Sequence, residues 1–495
     1  MKVFDIFKKK KTRKYFVGKR NFASAKQSNL FSGWFGTNLS ADQELVNNLE
    51  TIRNRVRQVC NDNEYARKFL QIIKSNVIHN GIRLQAVTKR DDGSLDSGDN
   101  DRLEKAWKVW SDKKEFVSVN HRLNWVDFQR LVIETLARDG EVFVRKIKTD
   151  IDNPFNFSLQ ILEGDWFDIG YNKPLNNGNY IVMSVEQNQY GRPSAFYKYV
   201  NPPNGLSLYS SKNASVSKER IPAEDIIHLY IPERPSQSRG LPWLNTVLRS
   251  LEMLYQYQES ELVASRIGAS SMGFYTSPDS AGYTGSDQDA QGNLITEFQP
   301  GTFQQLPDGV KFESFNPEHP TTAYIGFCKS VLRAISSGLG ISYASLASDL
   351  ESVNYSSIRA GVQEDRAYFS MLQHYVIENL CRPVYKDWLR MAITTGWLDL
   401  PMSKIDKFEE VIFIPRGWDY VDPLKEIKAQ QTAVQMGVMS LTEIASGKGK
   451  DINEVMYALK KDIDLAKELD LTLDPPVSPV QQVIVTKEEE PEEEE

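Results

Sequence analysis

Arg239-Gly240-Leu241-Pro242-Trp243 opens the stretch on which the reading of this chain turns. From residue 244 to 268, apolar side chains (Leu244, Val247, Leu248, Leu251, Leu254, Tyr255, Leu262) recur every three to four positions. That is the period of an amphipathic helix, about 36 Å long at roughly 1.5 Å per residue. A second such pattern covers residues 322–339 (Tyr324, Phe327, Cys328, Val331, Leu332, Ile335, Leu339) and stops at Gly338-Leu339-Gly340. Between the two, residues 276–307 are rich in Ser, Asp, Gly and Gln, and only 295–298 and 310–315 look like strands. Asn354-Tyr355-Ser356-Ser357 begins a third helix pattern that runs to about residue 393. Pro383 lies inside it and predicts a kink or break. Residues 341–353, between the second and third helices, read as irregular. Three long helices with two interruptions and no reactive set predict a part built to assemble and line something rather than to react.

Upstream, Ser40 to Gln43 has the form of a capping box, and Leu45, Leu49, Ile52 and Val56 follow at helical spacing. Residues 65–77 continue as a helix, and Asn80-Gly81 stops it. Residues 83–88 read as a strand, 103–110 and 125–138 as helices, with Trp107 and Trp110 on one core-facing side. After Asp139-Gly140 the period changes to two, and 142–144, 157–161, 180–182, 195–199 and 226–230 read as strands of a mostly antiparallel sheet. Asn188 to Pro193 is a hairpin-type turn. Downstream, 408–414 is a last strand, and helices start near Asp422-Pro423, Ser440 and Asn453. The class is α+β, and a chain of this length divides into two to four domains.

Charge is unevenly distributed. The net value is −7, yet residues 1–20 hold nine Lys/Arg against Asp5, and residues 487–495 hold seven Glu against Lys487. The body between is at −9. An acidic body does not grip nucleic acid, because phosphate binding depends on concentrated Lys and Arg. The basic arm, residues 1–40, reads as a solvated tail, with contact to nucleic acid or an acidic partner as the functional alternative and a membrane surface (Phe4, Ile6, Phe7) as a weaker one. Residues 473–495 read as an acidic disordered tail. Three scattered cysteines, Cys60, Cys328 and Cys381, suit a reducing compartment and no disulfide framework. No run of eighteen apolar residues and no secretory signal is present.

Reactive motifs are missing. Ser446-Gly447-Lys448-Gly449-Lys450 is too short for a phosphate loop, and Asp451 stands where Ser or Thr is needed. The five histidines (His79, His121, His228, His319, His374) are scattered singly, and Asp349 with Glu351 is a carboxylate pair in a polar loop. No catalytic residue, cofactor or metal site is expected.

Taken together, several segments resemble the lambda-type portal proteins of tailed phages. These are Ile221-Pro222-Ala223-Glu224-Asp225-Ile226-Ile227-His228, Glu233-Arg234-Pro235, Arg239 to Leu244, and Glu261 to Arg266. Leu306-Pro307 to Pro317, Arg333-Ala334-Ile335, Gly338 to Tyr343, Asn354 to Ser357 and Arg382-Pro383-Val384-Tyr385 continue the resemblance, and Asn63 to Ala66 and Asn80-Gly81-Ile82 match upstream. The co-linear set, from about residue 45 to 470, is specific where any single motif is weak.

The resemblance implies a portal fold: a mixed α/β wing (41–240), a long helical stem (241–271 and 321–340), a small β-containing clip (272–320), a tunnel loop (341–353), a kinked tunnel helix returning to the wing (354–404) and a helical crown (405–472). It implies a ring, usually of twelve copies, at one capsid vertex of the virion, assembled in the host cytoplasm. Expected partners are a terminase large subunit, major capsid and scaffold proteins, then head-completion and tail connector proteins. Double-stranded DNA passes non-specifically, and no membrane is involved. Ser345, Ser348, Asp349, Glu351, Ser352 and Asn354 are the tunnel-loop residues so implied, and Asp279, Tyr283, Asp287, Asp289 and Gln291 the terminase-docking clip residues. Arg239, Gly240, Pro242, Trp243, Asn354, Tyr355 and Ser356 are signature residues with structural duties. The alternatives are a DNA-processing enzyme or motor subunit, which needs a carboxylate cluster or phosphate loop, and a monomeric adaptor using the basic arm.

Overall fold

The computed structural model describes residues 38–149, 152–201, 217–269, 272–276, 287–288, 294–295, 311–315, 323–351, 354–418 and 423–468. The basic arm up to residue 37 and the acidic tail lie outside these.

Helix α1 (Ala41–Asp62) starts at the expected capping box: Ser40 Oγ accepts from Gln43 N–H, and Gln43 Oε1 accepts from Ser40 N–H. Asn63 ends α1 and caps α2 (Glu64–Val77), its side chain accepting from Tyr65 and Ala66 N–H. Strand β1 (Arg83–Ala86), helices α3 (Ser97–Asp112) and α4 (Lys114–Val117), and helix α5 (Trp125–Asp139) follow. Gly140 closes α5 in the left-handed region at φ +84°, a conformation that suits glycine.

Two antiparallel sheets come next. Strands β2 (Glu141–Ile147) and β3 (Ser158–Leu162) pair in the first, whose third strand arrives later in the chain. The second runs β4 (Lys173–Pro174), β5 (Tyr180–Val182), β6 (Val185–Gln187), β7 (Pro193–Tyr199), β8 (Lys218–Pro222), after which β9 (Ile226–Tyr230) returns to β2. Met183 and Ser184, both at positive φ, turn β5 into β6, the backbone hand that matches strand twist. Asn188 to Arg192 turns β6 into β7, the expected hairpin. The short strands β4, β6 and β8 were not expected, since two to five residues carry too little alternation to stand out.

The long helices differ from expectation in two places, and at Pro383, where a kink or break is expected, an irregular turn interrupts the helix. Helix α6 (Leu248–Ala269) starts four residues later than the apolar period suggests. Leu244 to Val247 form tight turns instead, with Val247 N–H on Leu244 O, because Trp243 N–H is bound to Ala137 O and sets the backbone path. Strands β10 (Met272–Thr276), β11 (Asp287–Gln288), β12 (Leu294–Ile295) and β13 (Lys311–Phe315) follow, β10 pairing β13 and β11 pairing β12. Helix α7 (Tyr324–Leu339) ends at Gly340. The segment expected to be irregular then contains helix α8 (Tyr343–Ala347), nucleated by its Ser342 cap. Helix α9 (Tyr355–Val376) continues through a π turn, Ile377–Cys381, into α10 (Arg382–Thr394), so the backbone stays helical past Pro383. Proline removes the donor that would meet the Asn379 carbonyl, and the wider turn before it absorbs the mismatch. Helix α11 (Ile405–Phe408) and strand β14 (Val411–Ile414) come next, β14 pairing β1, and α12 (Pro423–Gln435), α13 (Leu441–Gly447) and α14 (Ile452–Glu468) finish the described chain.

An aromatic cluster joins α3, α5 and α10. Trp107 lies 4.9 Å from Trp110, 5.8 Å from Trp125 and 5.0 Å from Trp388 between ring centroids. All four rings are buried, as expected for Trp107 and Trp110. Trp388→Ala removes the ring that bridges α10 to α3 and is expected to lower the unfolding free energy by about 3–5 kcal/mol in denaturant titration. A loss below about 1 kcal/mol would contradict this packing.

Candidate functional site

The signature Arg239 is fully buried, and its guanidinium is saturated. Nε donates to both oxygens of Glu141 (2.9 and 2.8 Å), Nη2 to Glu141 Oε1 (2.6 Å) and Gly164 O (3.0 Å), and Nη1 to Phe167 O (3.2 Å) and Met183 O (2.8 Å). Glu141, also fully buried, further accepts from Arg53 Nη2 (2.7 Å) and Gly240 N–H (3.1 Å), and His228 Nε2 lies 2.9 Å away. Burial alone would raise the Glu141 carboxyl, but Arg239, His228 and Arg53 together hold it well below the usual carboxylate range. Burial lowers His228 more than Glu141 raises it, so its ring is neutral at pH 7 and donates Nε2–H.

A second ionic layer lies beside the first. Arg57 pairs with Asp139, Asp165 and Glu163, Arg53 with Asp165, and Arg138 with Asp139. Both Asp139 and Asp165 would be raised by burial; Arg138 and Arg57 hold Asp139 below its ordinary value, and Arg57 and Arg53 do the same for Asp165. The two glycines flanking this knot touch. A Cβ on Gly240 would sit 2.1 Å from Gly140 O, and one on Gly140 2.2 Å from the Leu241 carbonyl carbon. Only two bare backbones fit there. Pro242 and Trp243 carry the chain across the end of α5, Trp243 packs partly buried on the main core, and α6 departs from that point.

The segment after α7 is tied down at its start. Ser342 N–H and Oγ both donate to Asp365 of α9 (2.7 Å each), and Ser345 Oγ donates to the same carboxylate (2.6 Å). Beyond α8, Ser348 is exposed at φ +53°. Asp349 accepts from Glu351 N–H (2.9 Å), from Tyr343 OH (2.8 Å) and from Lys329 Nζ (3.1 Å), which pull it down to about 2. Lys329 also holds Glu351 at 2.8 Å. Asn354 caps α9 through Ser357 N–H (2.8 Å), Tyr355 is its first residue, and Ser356 is exposed.

Of the loop residues expected to line a tunnel, Ser345 and Asn354 thus hold helices, Asp349 and Glu351 share Lys329, Ser348 faces solvent, and Ser352 lies outside the described residues. Of the expected docking residues, Asp287 is in β11, and Asp279, Tyr283, Asp289 and Gln291 lie outside the described residues. Glu141, Arg53, Arg57, Asp165, Asp365 and Lys329 were not anticipated. The available signal was a carboxylate heading an apolar strand directly after Asp139-Gly140. Among the described residues, no group of His, Cys, Asp and Glu could hold a metal ion, and no helix is long and apolar enough to cross a membrane.

Arg239→Gln strands the buried Glu141 and is expected to cost about 3–5 kcal/mol of unfolding free energy. Arg239→Lys recovers little, because an ammonium cannot span the same acceptors. A loss below about 1 kcal/mol in denaturant titration would contradict the knot. Stability is also expected to fall with pH in two stages. From the ordinary histidine value of about 6.5, the unfolded chain takes up a proton that buried His228 refuses. Below about 4, it takes up protons that Glu141, Asp139 and Asp165 refuse, until the pH falls through their lowered folded-state values. Thermal unfolding from pH 8 to 3 reads this; Glu141→Gln should flatten the lower stage, and an unchanged profile would contradict the assignment.

The sequence model described as phage portal protein, lambda family, matches residues 27–373. Over 458 residues the chain is 34% identical to the probable portal protein of Halomonas phage phiHAP-1, covering 91% of this chain and 87% of that one. It is 22% identical to the portal protein of Escherichia phage N15 over 86% of each chain. It is also 22% identical to portal protein B of Escherichia phage lambda over 85% of each. With the family pattern running through the arginine knot and both long struts, this chain belongs to the lambda family of phage portal proteins.

Proposed function

We propose that this portal protein closes into a ring, of about twelve copies by family resemblance, at one capsid vertex. There it is the passive conduit for double-stranded DNA during packaging and ejection. It docks a terminase large subunit through the 272–320 segment, then head-completion and tail proteins. The observation that carries the ring is the strut formed by α6 and α7. Leu251, Leu254, Leu332 and Ile335 are buried, yet Met253, Leu262, Val263, Ile325 and Phe327 are 50–70% exposed. A helix apolar on two sides needs a second cover, and apolar surface of this extent marks an interface. The two helices present different outer faces: α6 carries Arg249, Glu252, Glu259, Leu262 and Val263, whereas α7 carries Ile325, Gly326, Phe327, Ser330, Arg333 and Ala334 and no acid. Two different apolar-rich faces meeting from copy to copy make a head-to-tail contact, which closes into a ring when the rotation fits.

The acidic body supports passage without grip, since DNA held by counterion release would stall. Asp349 and Glu351, paired with Lys329 of α7, are the part of the 341–353 segment we assign to the channel side, because Ser345 and Asn354 are occupied in holding α8 and α9.

Sedimentation velocity on the purified full-length protein tests the ring. A single large species is expected for wild type, shifting to slow-sedimenting copies in Leu262→Lys, which places a charge on the strut flank. A monomer at every concentration and salt would contradict the proposal. For the channel assignment, Asp349→Ala with Glu351→Ala is expected to leave rings intact and to lower DNA packaged or retained per particle. Loss of rings would show a role in assembly instead, and unchanged DNA content would reject the assignment.

A further inference from the structure

A groove opens where the described chain begins. Its volume is about 240 Å³, with Leu45, Asn48 and Ile52 of α1 on one wall and Glu233, Arg234 and Leu241 on the other. Ile52 and Leu241 are only half-buried, so the lining keeps apolar surface for a cover. Arg234 ties the entering chain to the rim: its Nη1 and Nη2 donate to Leu39 O (3.3 and 3.2 Å), and Nη1 lies 3.4 Å from Glu44. Residue 38 is the first described, so the segment preceding α1 arrives at the mouth of this groove.

The residues just upstream do not have the composition of a solvated tail. Phe31-Ser32-Gly33-Trp34-Phe35-Gly36-Thr37 places three aromatics within five positions. The family match starts at residue 27, so it takes in this aromatic segment and leaves out the basic residues 1–20. Reach and size both fit the groove. Trp34 is five residues from Leu39, up to roughly 17 Å of extended chain. Ile52 lies about 16 Å along α1 from Ala41, so a segment folding back from the start of α1 spans the wall. A cavity of roughly 150 Å³ holds a benzene ring, so this larger groove can take an indole. Leu45, Ile52 and Leu241 would cover the ring, Arg234 would offer a cation to its face, and Glu233 and Asn48 would offer acceptor oxygens to its N–H. We propose that residues 31–37 fold back along α1 and seat Trp34 in this groove of the same copy. The seated indole braces α1, which carries Arg53, against the segment that carries Arg239, and it fixes where the basic arm leaves the body. The proposal does not depend on how copies assemble.

Photo-crosslinking of the full-length protein tests it. With p-benzoylphenylalanine in place of Trp34, peptide mapping is expected to find adducts within residues 41–52 or 233–245, in chains that still run as single copies on a denaturing gel. Adducts only elsewhere, links only between copies, or no link at all overturns the proposal. Independently, chymotrypsin is expected to cut after Trp34 roughly tenfold more slowly in wild type than in Asn48→Trp, whose own ring fills the groove. Asn48 is exposed on α1, so the fold tolerates the change. Cutting at equal rates in the two, whether fast or slow, overturns the proposal as well.

Discussion

A single buried carboxylate governs how this chain is put together. Glu141 sits at the head of β2 and gathers Arg53 from α1, His228 from β9, and Arg239 and Gly240 from the signature. Arg239 in turn reaches the Gly164, Phe167 and Met183 carbonyls. A charge removed from water is costly unless every lone pair and proton finds a partner, and here each does. The cost of stranding either partner excludes other placements of the segments that supply them. Arginine is required because its planar fork can satisfy a carboxylate and three carbonyls at once.

The knot bears on function through the direction it gives the strut. Gly140 against Gly240 brings the chain across the end of α5 at backbone contact, and α6 departs from the turn that follows. The strut then presents apolar residues on flanks that one copy leaves uncovered. At the end of α7, Asp365 pins Ser342 and Ser345, and beyond α8 Asp349 and Glu351 share Lys329 of α7. Rigid root, apolar flanks and a polar stretch follow one another along the chain.

Much of this was legible in the sequence because the signals are local. The capping box at Ser40, the Gly140 stop, the core tryptophans and the strong strands depend on neighbours within a few residues, and periodicity reports them. The knot was not legible, because Arg53, Glu141 and Arg239 are separated by about ninety residues each and nothing in their local context announces a partner. His228 stands alone in the sequence, and only its contact with Glu141 gives it a structural duty. The start of α6 was misplaced because Leu244 and Val247 are buried and keep helical spacing while their backbone forms turns. Helix α8 was hidden by its brevity, and the passage of Pro383 by a π turn that sequence spacing cannot distinguish from a kink.

How one copy meets the next decides whether the strut works as proposed. Electron cryo-microscopy of the purified full-length protein measures this without a variant. The predicted map is a closed ring in which the outer face of α6, with Leu262 and Val263, packs against the outer face of α7 of the next copy, with Gly326 and Ala334. Single copies, or a ring in which both strut faces stay in solvent, would contradict it.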